Sequence, residues 1–207
     1  MSGVLKLGYY PLSLCLFFPL RVCIISIRPM KTTLRVGVIG AGVLGGALAR
    51  LLAAGGYPVV AVSSRRFERA QALARAVGAE AVRSPHEVAA RADLVLLTIP
   101  DDQIATVVAE VARAGGWRTG QAVVHTSGAL DRSVLRLAAE QGAWIGGLHP
   151  LQSAADPEEA VRALPGSYFG VEAEEPLLGL LETLVSRLGG KPLRVPGEAK
   201  GLYHLAA

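Results

Sequence analysis

Residues 34–45 have the sequence LRVGVIGAGVLG, which is the segment of the chain most informative about its architecture. Its first half, Leu34 to Ile39, is apolar and β-branched, which predicts a short buried strand. Its second half has the pattern Gly-x-Gly-x-x-Gly, and an Ala- and Leu-rich stretch continues from it to Ala54 and predicts a helix. A strand, a glycine-rich turn and a helix in this order form the context in which the pattern binds a dinucleotide.

The three glycines have different physical tasks in such a turn. Gly40 allows the tight turn, Gly42 lets the backbone approach a pyrophosphate, and Gly45 lets the helix pack closely on the strand. The phosphates then lie at the helix N-terminus, where free N–H groups and the helix dipole favour negative charge. The alternative is a glycine-rich turn that holds no ligand.

Strands and helices alternate along the rest of the chain. The predicted strands after Ile39 are 58–63, 81–83, 93–99, 121–126, 143–148 and 192–195, and the predicted helices after Ala54 are 66–77, a short one from 86, 102–114, 131–140 and 176–188. This order predicts an α/β fold, a doubly wound and mostly parallel Rossmann sheet with helices on both faces.

The residues at the end of the second strand predict which dinucleotide is bound. NAD enzymes usually place an acid there to hold the ribose 2′-hydroxyl, whereas this chain has Ser63, Ser64, Arg65 and Arg66. Arginine pairs bidentately with a phosphate and serine donates hydrogen bonds, so these residues favour NADP(H) over NAD(H). The alternative is that both arginines are solvated residues at the start of a helix.

Ligands of doubly wound sheets bind outside the carboxyl ends of the strands. We expect Ile99 and Pro100, after the fourth strand, to contact the cofactor through the backbone, and the acids that follow them to cap a helix. The complete set of predicted cofactor-binding residues is Gly40, Ala41, Gly42, Val43, Leu44, Gly45, Ser63, Ser64, Arg65, Arg66, Ile99 and Pro100.

Two histidines follow the fifth and sixth strands, where a nicotinamide ring is expected. They are His125 and His149, and Ser127 lies beside the first. A histidine titrates near neutral pH and can relay a proton while a hydride moves. The alternative for each histidine is a hydrogen bond to a neighbouring loop backbone.

Several segments resemble the bacterial Rossmann-like proteins that carry a helical C-terminal domain called DUF2520. Besides the glycine loop, the matching segments are Ser64-Arg65-Arg66, His125-Thr126-Ser127-Gly128, residues 147–153, Leu164-Pro165-Gly166, Glu198-Ala199-Lys200 and Tyr203-His204. That family is similar to pyrroline-carboxylate reductases, F420-dependent NADP oxidoreductases, prephenate dehydrogenases and β-hydroxyacid dehydrogenases.

The resemblance implies roles for two residues. His149 resembles the catalytic histidine of prephenate dehydrogenases, and Lys200 resembles the proton-donating lysine of β-hydroxyacid dehydrogenases. His125 and Ser127 would then position the nicotinamide or the substrate. It also implies that residues 30–196 form the NADP-binding domain, that residues 197–207 start a truncated all-α domain, and that the missing helices make a homodimer in the full-length protein.

Residues 1–29 are predicted to be an extension outside the fold. The apolar segment from Gly8 to Ile27 raises the possibility of a membrane anchor, but Arg21 interrupts it and two prolines would kink a helix there. Met30 is followed by the kind of opening that cytosolic Rossmann proteins have, so we expect a cytoplasmic protein, with a membrane-tethered one as the alternative.

Composition excludes several classes of protein. The net charge is +4, but the arginines are scattered along Ala-rich stretches and aromatic residues make up 5%, so we do not expect nucleic-acid binding. Both cysteines, Cys15 and Cys23, lie in the N-terminal extension, which leaves the predicted fold without a cysteine nucleophile or a Cys-ligated metal site.

These observations predict an NADP(H)-dependent oxidoreductase that moves a hydride to or from a small molecule. The alternative is a sensor or interaction module that binds NADP(H) without turning it over. Substrate choice depends on a pocket that the predicted fold does not complete, so carbonyl, imine and hydroxy-acid chemistry all stay open.

Overall fold

The computed structural model describes residues 34–196. The predictions made for Lys200, for residues 1–29 and for the start of a helical domain at 197–207 lie outside the described residues.

The described chain alternates strands and helices, as predicted. The strands are β1 (Val36–Ile39), β2 (Val59–Ser63), β3 (Glu80–Ala81), β4 (Leu94–Leu97), β5 (Ala122–His125), β6 (Trp144–Pro150), β7 (Tyr168–Ala173) and β8 (Lys191–Arg194). The helices are α1 (Val43–Ala54), α2 (Phe67–Val77), α3 (Pro85–Arg91), α4 (Asp101–Arg113), α5 (Arg136–Ala139), α6 (Pro157–Ala163) and α7 (Leu177–Arg187), with a 3₁₀ turn at Arg132–Leu135.

The strands form an eight-stranded sheet in the order β3-β2-β1-β4-β5-β6-β7-β8. Strands β1 to β6 are parallel, β7 is antiparallel to β6, and β8 is parallel to β7. This confirms the doubly wound, mostly parallel sheet. The strand order reverses between β1 and β4, and ligands of such sheets bind in the crevice at that reversal.

Helices cover both faces of the sheet, because its central strands are apolar on both sides. In β4, Leu94 and Leu96 belong to the core under α1, α2, α6 and α7, whereas Val95 and Leu97 belong to the core under α3, α4 and α5. All four residues are fully buried. A continuous apolar run is therefore typical of a strand at this place in the sheet.

The second half of the chain differs from the prediction in three ways. Strand β6 extends through His149 and Pro150, which were predicted to follow the strand, because both residues pair with β7. Strand β7 and helix α6 were not predicted. The region predicted as one helix over 131–140 is a 3₁₀ turn followed by a short α-helix.

Within residues 34–196, no helix combines the length and the hydropathy that crossing a bilayer requires.

Candidate functional site

The glycine loop joins β1 to α1 at the reversal of strand order. Gly40 has a φ of +115°, a region that favours glycine. Its N–H donates to the carbonyl of Ser63 at 2.9 Å, which ties the loop to the end of β2. A Cβ at Gly40 would lie 2.4 Å from the carbonyl oxygen of Thr98. The backbone of the loop after β4 therefore fills the space that a side chain would need.

Gly45 lets α1 pack directly on this turn. A Cβ there would lie 2.1 Å from the carbonyl oxygen of Gly40 and 2.3 Å from Oγ1 of Thr98. The Thr98 hydroxyl donates to that same Gly40 carbonyl at 2.7 Å. Two glycines and one threonine thus close the turn, and each glycine has the task predicted from the sequence.

Gly42 differs from the other two glycines because it faces open space. Within residues 34–196, no heavy atom would lie within 4 Å of a Cβ added there. Gly42 is the N-cap residue of α1, and because glycine has no side chain, no side-chain hydrogen bond caps this helix. The first turn of α1 also contains no acidic residue. An uncapped helix end beside open space can accept a phosphate group through its N–H donors. The remaining loop residues, Ala41, Val43 and Leu44, are half-buried against the core.

The end of β2 carries polar groups without a partner among residues 34–196. Ser63 is 2% exposed, and its hydroxyl has no hydrogen-bond partner in the described part of the chain. Ser64 is half-buried, and Arg65 and Arg66 are exposed just before α2. Among residues 34–196, neither of these arginines forms an ion pair. Their charges are available to an anion.

The loop after β4 borders the glycine loop directly. The Cγ2 atom of Ile99 would lie 2.9 Å from a Cβ at Gly40, so the predicted contact residue is at the crevice. Pro100 is exposed and precedes α4, where Asp101 and Asp102 occupy the first turn.

His125 ends β5 and is completely buried. Its Nδ1 accepts the N–H of Ser127 at 3.2 Å. In the neutral imidazole the proton is therefore on Nε2. His125 thus forms a hydrogen bond with a neighbouring loop backbone, which was the alternative to a proton-relay role. Its ring does not reach solvent.

Ser127 is joined to the start of α4. Its hydroxyl donates to Oδ2 of Asp101 at 2.6 Å and accepts the N–H groups of Ala129 at 3.1 Å and Leu130 at 3.0 Å. A serine hydroxyl can donate one hydrogen bond, and here the carboxylate of Asp101 accepts it. The residue thus connects the loops that follow β4 and β5.

His149 lies in β6 at the same edge of the sheet. Its ring packs against Gly128, where a Cβ would come 2.7 Å from Cε1 and 2.8 Å from Nε2. In the sheet His125 pairs with Gly147 and His149 pairs with Gly170. Because residues two apart share a face, the structure brings the two predicted histidines to one face of adjacent strands.

A buried carboxylate near these histidines was not predicted. Glu172 in β7 is 7% exposed and pairs with Gly147 in the sheet. Its Oε2 accepts the N–H of Arg132 at 3.1 Å, and the Arg132 Nε lies 3.9 Å from Oε1. Arg132 also bonds the exposed Glu174, and this hydrogen bond lowers the pKa of the Glu174 carboxyl. The pairing of β6 with β7 could not be read from the sequence, so no local signal identified Glu172.

Comparisons with known proteins agree with this architecture. A family model of the Rossmann-like domain matches residues 25–150, and a model of a domain of unknown function, DUF2520, matches residues 167–207. No curated protein sequence matches the chain.

Several solved structures with the same fold carry the names of oxidoreductases. A candidate NADP oxidoreductase from Bacteroides fragilis is 26% identical with a TM-score of 0.72, over 84% of this chain and 64% of that one. A pyrroline-5-carboxylate reductase from Coxiella burnetii is 20% identical with a TM-score of 0.65, over 79% of this chain and 59% of that one. A reductive aminase from Aspergillus terreus, solved with NADPH and ethyl-5-oxohexanoate, is 20% identical with a TM-score of 0.64, over 84% of this chain and 59% of that one.

The chain spans 64% of the Bacteroides protein's length and less of the other two. At 20% identity the last two comparisons show the fold alone. The family matches confirm the resemblance found in the sequence: the chain belongs to the Rossmann-like domain family and continues into a DUF2520 match.

Proposed function

We propose that this chain binds NADP(H) and forms the cofactor-binding part of an oxidoreductase that acts on a small molecule. The observation that supports this most directly is the contrast among the loop glycines. Backbone or side-chain atoms of the protein fill the space beside Gly40 and Gly45, whereas Gly42 opens on an uncapped helix end. The pyrophosphate would lie there, on the first N–H groups of α1.

The preference for NADP(H) is supported by charge. Arg65 and Arg66 are exposed and free of ion pairs within residues 34–196, and no acid replaces them at the end of β2. Guanidinium groups bind a phosphate dianion bidentately, whereas an acid would repel it. The 2′-phosphate of NADP(H) would therefore lie beside these two residues and Ser64.

The reacting end of the cofactor would lie near His149. NADP(H) supplies a hydride acceptor or donor at the nicotinamide ring. The imidazole of His149 is half-buried at the carboxyl edge of the sheet and can hold or release a proton there. Lys200 stays a second candidate proton donor, and His125 and Ser127 are candidates for holding the loop that faces the ring.

Binding without turnover is the second candidate function. It is favoured by one observation: His125 is fully buried, and the Ser127 hydroxyl is engaged by Asp101. Two of the four candidate catalytic residues therefore have structural tasks that a sensor would also need.

Calorimetric titration of the full chain with NADPH and NADH tests the cofactor assignment. We expect NADPH to bind at least about tenfold more tightly, which corresponds to about 1.4 kcal/mol. The double change Arg65→Ala and Arg66→Ala should remove this difference. Arg75→Ala, in the last turn of α2, is the matched control and should leave it unchanged. Equal affinities for both nucleotides would contradict the assignment.

Turnover separates the two candidate functions. NADPH oxidation is followed by absorbance with panels of imines, ketones and aldehydes, and NADP⁺ reduction with hydroxy acids. An oxidoreductase in which His149 donates the proton loses turnover in His149→Ala while its affinity for NADPH stays the same. Tight NADPH binding without turnover of any compound supports the sensor.

A further inference from the structure

We propose that Arg83 is a third residue that determines specificity for the 2′-phosphate of NADP(H). This inference rests on the proposed function. Arg83 has no local sequence signal for this role, because its place beside β2 follows only from the pairing of β3 with β2.

The sheet register places Arg83 next to the end of β2. Val62 pairs with Ala81, and the N–H of Val82 donates to the carbonyl of Val62 at 2.9 Å. The residue after Val82 is Arg83, and the residue two after Val62 is Ser64. Adjacent strands are about 4.8 Å apart. The backbone of Arg83 thus leaves the sheet beside the serine and arginines that follow β2.

A contact with Phe67 fixes the side chain in this region. The guanidinium carbon of Arg83 lies 4.2 Å from the centroid of the Phe67 ring. Phe67 is the first residue of α2 and directly follows Arg66. A guanidinium stacked on a ring keeps its N–H donors in its own plane, where a phosphate can accept them. The Arg83 guanidinium therefore lies against the first residue of α2, with its in-plane donors unobstructed by the ring.

Nearby acids do not neutralise Arg83. Glu80 in β3 is paired with Arg91 at 3.1 Å. Glu87 accepts the N–H and hydroxyl of Ser84, both at 3.0 Å, and these bonds lower the pKa of its carboxyl. Within residues 34–196, Arg83 forms no ion pair, either with these acids or with Glu68 of α2. Its charge is exposed and available.

A second observation at the same edge indicates a ligand. Among the residues that the structure describes, the buried hydroxyl of Ser63 has no hydrogen-bond partner, although buried hydroxyl groups are nearly always bonded. Ser63 is the last residue of β2 and directly precedes the segment that Arg83 flanks. Cationic groups just past the ends of two neighbouring strands and an unused hydroxyl are what a phosphorylated ribose would engage.

The test is calorimetric titration of the full chain with NADPH, NADH, 2′,5′-ADP and 5′-AMP. We expect Arg83→Ala to weaken NADPH and 2′,5′-ADP about tenfold and to leave NADH and 5′-AMP within about twofold, because only the first pair carries the 2′-phosphate. Arg83→Lys keeps the charge without the planar fork and should recover part of the loss. Phe67→Leu keeps Arg83 but removes the stack, and its affinity for NADPH should lie between those of wild type and Arg83→Ala.

Arg187→Ala is the matched control, because Arg187 also stacks on an aromatic ring, that of Tyr57 at 5.8 Å. Thermal unfolding of each variant shows that the chain is folded. If wild type prefers NADPH and Arg65→Ala reduces that preference while Arg83→Ala behaves like Arg187→Ala, the inference about Arg83 is overturned and the proposed function stands. If wild type itself does not prefer NADPH, the inference about Arg83 and the proposed NADP(H) assignment both fail.

Discussion

The imidazole of His149 lies directly against the α-carbon of Gly128. A Cβ at Gly128 would come 2.7 Å from Cε1, 2.8 Å from Nε2 and 2.9 Å from Nδ1 of the ring. Real atoms do not approach so closely, so glycine is the residue that allows this histidine to take its position. The loop after β5 thus determines where the side chain of β6 lies.

Gly128→Ala should therefore displace the His149 ring. We expect a stability loss of about 1–3 kcal/mol, because the added methyl group overpacks a buried contact. The Cε1–H signal of His149 in ¹H–¹³C NMR spectra should shift, since the ring loses its packing against residue 128. Gly179→Ala is the control, because Gly179 lies in α7 with only a carboxylate oxygen of Glu175 as close as 3.3 Å. An unchanged His149 signal in Gly128→Ala would contradict this account.

Gly42→Ala and Gly45→Ala should separate binding from folding. A methyl group at Gly45 meets a carbonyl oxygen at 2.1 Å, so we expect Gly45→Ala to lose about 3 kcal/mol of stability. Gly42 has a φ of −85° and open space, so Gly42→Ala should fold normally. The same methyl group would block the pyrophosphate, and NADPH affinity should fall at least about tenfold. Chemical denaturation and calorimetry measure the two effects, and a Gly42→Ala protein that binds NADPH normally would place the phosphates elsewhere.

Ser127→Ala should destabilise the fold even without cofactor. The variant loses a buried donor to Asp101 and leaves two backbone N–H groups without their acceptor. We expect a loss of about 1–3 kcal/mol in denaturant unfolding. In a double-mutant cycle, Asp101→Asn should cost less in the Ser127→Ala background than in wild type. If Ser127 served only a ligand, the unfolding free energy of the cofactor-free variant would equal that of wild type.

Glu87→Gln should change the pH dependence of stability. Hydrogen bonds from Ser84 lower the pKa of the Glu87 carboxyl from its ordinary value of 4.5, so the folded state favours the ionised form. This contribution is fully present above pH 4.5 and is lost as the pH falls through the lower folded value. Wild type should therefore exceed Glu87→Gln in unfolding free energy at neutral pH, and the difference should shrink as the pH falls below 4.5. A difference that grows on acidification would contradict the assignment.

The parts of the fold that the sequence predicted depend on local signals. The glycine loop, the apolar run of β4 and the arginines after β2 are each contained in a few consecutive residues. Helix α6 was not predicted, although its start has a local signal: Asp156 caps it by accepting the N–H of Glu159, and Pro157 occupies the first helical position. Its seven residues make too short a helix for hydrophobic periodicity to be visible.

What the sequence could not predict depends on pairings between distant segments. Strand β7 contains Gly170 and the buried Glu172, whose carboxylate accepts a hydrogen bond from Arg132 in another element. The contact of Gly128 with His149 and the stack of Arg83 on Phe67 likewise need the sheet order before they can be inferred. Long-range contacts of this kind leave no mark in a window of neighbouring residues.

In the proposed function, main-chain atoms and side chains at the carboxyl edge of the sheet have separate tasks, and this separation has an evolutionary consequence. The turn at Gly40, Gly42 and Gly45 would hold the part common to all nicotinamide dinucleotides with main-chain atoms, which substitutions at the ends of β2 and β3 leave in place. Discrimination between those dinucleotides would fall to a few exposed side chains at the ends of β2 and β3. A descendant could then exchange one coenzyme for the other through a handful of surface substitutions, without passing through an intermediate that fails to fold.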